Sequence, residues 1–129
     1  MMTSDTEDAS VVLIVDDERG FANMLAKRLA LRGFTCTVAY DGSSALDLLA
    51  ETAFSSVVLD LRLPDLTGTE VLVRARARLP SLPVVILTGH GSDEDEKECR
   101  RLGAVAFLHK PVELAQLVSV LSETTRGSR

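Results

Sequence analysis

The chain is 129 residues long, 46% apolar and 4% aromatic, with 14 basic and 19 acidic side chains and a net charge of −5. This length suits one domain with a real core and leaves no room for a second folded one. The acidic balance without a basic cluster argues against nucleic acid as a ligand, and no apolar stretch approaches membrane-spanning length. A cytoplasmic protein is expected, with protein and not membrane or nucleic acid as its partner.

Met1 to Ser10 is polar and acidic, lacks the apolar region of a signal peptide, and is expected to be a disordered segment before a domain spanning 11–123, with 124–129 as a tail. The first strand is Val11-Val12-Leu13-Ile14-Val15. A run this short and this apolar suits a strand buried on both faces of a parallel sheet. Phe21, Met24, Leu25 and Leu29 then keep helical spacing, and Gly33 closes that helix. Thr35 to Ala39 alternates as a strand, and Asp41-Gly42 opens a second helix carrying Ala45, Leu48 and Leu49. The third strand, Val57-Val58-Leu59, ends at Asp60. After the loop Leu63-Pro64-Asp65-Leu66, Thr67 and Glu70 have capping-box spacing for a third helix through Val71, Leu72 and Ala75, which Pro80 stops.

Val84-Val85-Ile86-Leu87 runs into Thr88 as the fourth strand. The fourth helix is charged along most of its length, from Asp93 through Glu98, with only Cys99 and Leu102 as apolar anchors. Ser92 can cap it, acids crowd its positive end, Arg100 and Arg101 sit at its negative end, and Asp93–Lys97 and Glu96–Arg100 are spaced as ion pairs. Weak docking and easy opening are expected of it. A short strand from Val105 to Leu108 and a last helix bearing Leu114, Leu117, Val118 and Leu121 complete the pattern. Strict alternation with short connections predicts a doubly wound three-layer α/β sandwich, flavodoxin-like, around a five-stranded parallel sheet of order 2-1-3-4-5. Cys36 and Cys99 lack metal or redox spacing and read as free thiols.

Asp16 and Asp17, Asp60, Thr88 and Lys110 each close an apolar run, so all five are expected at the carboxyl edge of the sheet. Asp16 and Asp17 alone could serve as helix caps. A third acid ending another strand makes a hard-cation site the better account, because clustered carboxylates repel unless a cation or proton neutralises them. Mg²⁺ is the expected ion, with Mn²⁺ as the alternative.

Val15-Asp16-Asp17-Glu18, Val58-Leu59-Asp60-Leu61 with Pro64 and Gly68, Leu87-Thr88-Gly89-His90-Gly91 and Phe107-Leu108-His109-Lys110-Pro111 together resemble the receiver domain of two-component response regulators. The Leu-Thr-Gly-His-Gly segment is similar to receivers of nitrogen-regulator-like proteins. The resemblance covers nearly the whole chain, and four ordered motifs are far more specific than any one. It implies Asp60 as phosphoacceptor, Asp17 and Asp60 as direct Mg²⁺ ligands, Asp16 acting mainly through water, and the Arg62 backbone carbonyl completing the protein ligands. It also implies that Thr88 and Lys110 contact the phosphoryl group, that Lys110-Pro111 is cis, that Phe107 is an aromatic switch, and that Arg62 and His90 tune the phosphoryl lifetime. A histidine kinase or phosphotransfer protein is then the donor. A downstream effector would read the face of the fourth helix, fifth strand and fifth helix, with dimerisation through that face as one outcome of phosphorylation.

Such a protein is a switch more than an enzyme. A pseudo-receiver used only for binding is one alternative. An aspartyl-phosphate phosphatase of haloacid dehalogenase type is another, although that class wants an acid at position 62, which here is Arg. Arg74 and Arg78 share a face of the third helix and read as solvent-exposed.

Overall fold

Five strands, β1 Val11–Val15, β2 Thr35–Ala39, β3 Ser56–Leu59, β4 Val84–Thr88 and β5 Ala106–His109, alternate with the helices α1 Arg19–Ala30, α2 Gly42–Glu51, α3 Gly68–Arg78, α4 Asp93–Arg101 and α5 Leu114–Gly127. This is a computed structural model, and it describes residues 11–127. The segment 1–10, expected to be disordered, lies outside the described residues. All strand pairs are parallel, in the order β2-β1-β3-β4-β5, as the alternation predicts.

Side-chain alternation along the strands divides the core in two. Val12 and Ile14 of β1 pack with Ala22, Leu25 and Leu29 of α1 and Leu117 and Leu121 of α5. Leu13 and Val15 turn the other way, against Ala45 and Leu49 of α2, Val71, Leu72 and Ala75 of α3, and Cys99 of α4. Both faces of the central strands are therefore apolar, which is why β1, β3 and β4 read as unbroken hydrophobic runs.

The helix ends follow their local chemistry. Asp41 caps α2 by accepting from Ser44 N–H at 2.7 Å. Thr67 with Glu70 forms the expected capping box on α3, and Ser92 forms another with Asp95 on α4. Gly33 and Gly103, each just past a helix, take positive φ of 96° and 109°, where a side chain would be strained.

Three expectations need correction. Met24 is 38% exposed, because the buried stripe of α1 runs through Ala22 instead. Asp93 and Lys97 form no ion pair among the described residues; Arg101 pairs with Glu98 at 2.8 Å, one turn further on, beside the expected Glu96–Arg100 pair at 3.0 Å. Residues 124 to 127, expected in the tail, continue α5, since no breaker precedes Gly127 and the Thr124 hydroxyl folds back to donate to the Leu121 carbonyl at 3.1 Å.

Candidate functional site

Register brings the acids together. Val15 stands opposite Leu59 in the parallel ladder, and Asp60 N–H donates to the Val15 carbonyl at 3.0 Å. The next residue of each strand, Asp16 and Asp60, is therefore forced to the same edge, where both are buried, at 3% and 4% exposure. Asp17 is exposed and has no hydrogen bond or ion pair among the described residues. One carboxylate oxygen from each of Asp16, Asp17 and Asp60 lies within 4.8 Å of the others.

Lys110 reaches this cluster from β5, two strands away from β3. Its backbone N–H donates to the Thr88 carbonyl at 2.9 Å, and the Lys110-Pro111 peptide is cis. The ammonium donates to Asp16 Oδ2 at 2.8 Å and Glu18 Oε1 at 2.8 Å, lies 3.5 Å from Asp60 Oδ2, and rests 4.3 Å from the centroid of the Phe21 ring. Burial works against the charge of Lys110, yet the bonds to Asp16 and Glu18 and the nearby Asp16 and Asp60 charges hold its pKa above the ordinary lysine value. Burial is also the main reason the Asp16 carboxyl is raised, aided by Asp60 and opposed by the bonds from Lys110 and Glu18 N–H. Glu18 is lowered, first by the hydrogen bond from Lys110, then by the Lys110 charge and more weakly by His90.

Thr88, fully buried, ends β4 with its hydroxyl accepting from His90 N–H at 3.2 Å. Phe107 is 5% exposed and packs in the core facing α2, α3 and α4, its ring 5.3 Å from the His109 ring. Gly91 makes room for it: a Cβ there would stand 2.5 Å from Phe107 Cζ and 3.0 Å from Thr88 Cγ2. Arg62 and His90 are both exposed, the former in a bridge with Thr67. Arg74 and Arg78 line a groove between α2 and α3 with Leu46, Leu49, Ala50 and Leu79, apart from the acids.

Two supports escape a reading of the sequence. Glu18 is the partner of a lysine 92 residues away, so no local pattern signals it. Asp65 accepts from Gly42 N–H at 2.8 Å and Ser43 N–H at 2.9 Å, fastening the loop after Asp60 to the start of α2. Its place two residues before a capping box gives only a faint hint. Gly68 permits the same loop to close, because a Cβ would clash with the Asp60 carbonyl and stand 2.6 Å from Leu61 Cα.

Residues 12–122 match the response regulator receiver domain family. The chain belongs to that family. This receiver domain is 36% identical over 115 residues to the transcriptional regulatory protein FixJ of Bradyrhizobium diazoefficiens, an alignment covering 89% of this chain and 56% of FixJ. The chain thus spans little more than half of that relative. The receiver domain of NtrX from Brucella abortus superposes with a TM-score of 0.84 at 32% identity, over 89% of this chain and 98% of the other. A Burkholderia pseudomallei response regulator, solved with a phosphorylated aspartic acid, a calcium ion and citrate, superposes at 0.83 with 25% identity, over 92% of this chain and 69% of the other.

Receiver domains bind Mg²⁺ through an acidic cluster, and Asp16, Asp17 and Asp60 form one here. The donor set fits. Mg²⁺ takes oxygen ligands and is commonly held by one or two carboxylates with water, and three carboxylate oxygens within 4.8 Å of one another offer such a set. No helix among the described residues is long and apolar enough to cross a membrane.

Proposed function

We propose that Asp60 is the phosphoacceptor of this receiver domain, taking its phosphoryl group from a histidine kinase or phosphotransfer protein. The observation that carries this reading is a buried Asp60 clustered with two further acids, with the Lys110 ammonium bonded to Asp16 and 3.5 Å from Asp60 Oδ2. Asp60 Oδ1 accepts from Leu61 N–H at 2.7 Å, which fixes the carboxylate plane. An Asp60 oxygen forms the new bond to phosphorus as the P–N bond of phosphohistidine breaks, and the imidazole leaves with the electron pair.

Asp17, Asp60 and the Arg62 carbonyl would hold Mg²⁺, with Asp16 acting through water; the ion, when bound, supplies charge neutralisation on the phosphoryl oxygens. Lys110 meets the remaining negative charge. Thr88, turning its hydroxyl away from His90 N–H, donates to a phosphoryl oxygen, and Phe107 beside it follows the same movement. The partner surface is the face formed by α4, β5 and α5, through which phosphorylation acts on a downstream effector or a second copy. Arg62 and His90, both exposed beside the site, bear on access of hydrolytic water. The phosphorylated aspartate in the Burkholderia pseudomallei relative supports the role given to Asp60.

Incubation of the chain with acetyl phosphate and Mg²⁺ should give one acid-stable, base-labile acyl phosphate per chain, and Asp60→Asn should give none. Continuous turnover of a generic phosphate ester would instead favour a phosphatase. Failure of the wild type to label would leave only a binding module.

A further inference from the structure

Glu18 stands at the N-cap of α1 with extended backbone, yet its side chain makes no cap. Short side chains of Ser, Thr, Asp and Asn serve best there, because they fold back on the first turn. The longer glutamate instead reaches Lys110. The ammonium has three N–H donors, and two of them are committed at 2.8 Å, to Asp16 Oδ2 and Glu18 Oε1. Asp60 Oδ2, at 3.5 Å, is beyond the length of a charge-assisted hydrogen bond. Phe21, one turn along the same helix, supports the ammonium through its ring face at 4.3 Å. The start of α1 therefore holds Lys110 short of the phosphoacceptor.

The two strong contacts differ in what their rupture leaves behind. The Asp16 side chain is 4% exposed, so losing Lys110 strands a buried charge. The Glu18 side chain is 66% exposed, and water replaces Lys110 there at small cost. We propose that Glu18 is a positioning residue that holds Lys110 off Asp60 until the phosphoryl group draws it across, and so sets the rate at which Asp60 is phosphorylated. The inference rests on Asp60 being the phosphoacceptor. With acetyl phosphate as donor, the Asp60 O–P bond forms, the acetyl O–P bond breaks and acetate leaves with the electron pair. The new phosphoryl charge stays beside Lys110, which leaves Glu18 to meet it.

The test is phosphorylation of the full chain by acetyl phosphate at saturating Mg²⁺, comparing wild type, Glu18→Ala and Glu18→Asp, with the fold of each confirmed by its amide spectrum. An exposed ion pair is worth about a two- to fivefold factor, and Glu18→Ala should label faster by that amount. Glu18→Asp keeps the charge but shortens the reach. If contact with Lys110 matters, it tracks Glu18→Ala; if only the local field matters, it tracks wild type and the proposal falls. In wild type the Glu18 carboxyl carbon signal should also shift when beryllofluoride is added, as Lys110 departs. An unmoved signal, or equal rates in all three proteins, overturns the proposal. Failure of the wild type to label at all would instead strike the reading of Asp60.

Discussion

The Asp16 carboxyl is buried, raised in pKa first by that burial and further by the Asp60 charge, and only partly relieved by Lys110. A carboxyl whose folded pKa exceeds its unfolded value of about 3.9 favours the fold only while it holds its proton. Its contribution is fully present below the unfolded value and is lost as pH rises through the raised folded value. At pH 7 the ionised group is a net cost to stability. Asp16→Asn should therefore unfold in urea with a gain on the order of 1 kcal/mol at pH 7 without Mg²⁺. The gain should shrink as pH falls through the raised folded pKa, because the wild-type carboxyl then takes up its own proton. A loss of stability at pH 7 would mean that the Asp16–Lys110 bond outweighs the burial and repulsion.

Among the elements, α4 is the least anchored. Cys99 is its one buried side chain, Leu102 beyond its end is half-buried, and its ion pairs, Glu96–Arg100 and Glu98–Arg101, lie on the surface where such pairs contribute little. Both α3 and α4 start with a capping box, but α3 buries Val71, Leu72 and Ala75 where α4 buries only Cys99. Amides of α4 should exchange with solvent hydrogen roughly tenfold faster than those of α3 in the unphosphorylated protein. Equal protection of the two helices would show that the Cys99 contact and the capping box suffice to dock α4. The charge pattern of this helix was plain in the sequence, as were the strand-end acids, because both arise from local periodicity. The partners of Lys110 were not: Glu18 and Phe21 meet it only through the sheet order, and spacing along the chain carries no trace of a contact between residues so far apart. Asp93–Lys97 failed for a different reason, since spacing permits a pair on a solvated face without selecting it over the alternatives nearby.

Across the whole molecule, the order β2-β1-β3-β4-β5 places the ends of the two central acidic strands side by side, so the fold concentrates negative charge at one edge by construction. Among the described residues, Asp17 stands there without a partner, and Lys110 is the one ion-pair partner of a cluster that also includes Asp16, Asp60 and Glu18. A divalent cation bound to the folded cluster, and not to the dispersed acids of the unfolded chain, must stabilise the fold by mass action. At a hundredfold excess over the dissociation constant the gain is about 2.7 kcal/mol. Each kcal/mol raises the melting temperature of a domain of this size by about 4 °C, so Mg²⁺ should lift it by about 10 °C, and EDTA should reverse the change. KCl at matched ionic strength separates binding from general screening of the acidic edge, which should yield a much smaller rise. Asp17→Asn should lose most of the Mg²⁺ increment while its melting temperature without the ion stays at or above that of wild type, because it removes an unpaired charge. If Mg²⁺ and KCl act alike, or if Asp17→Asn responds to Mg²⁺ as wild type does, the three acids do not form the metal site.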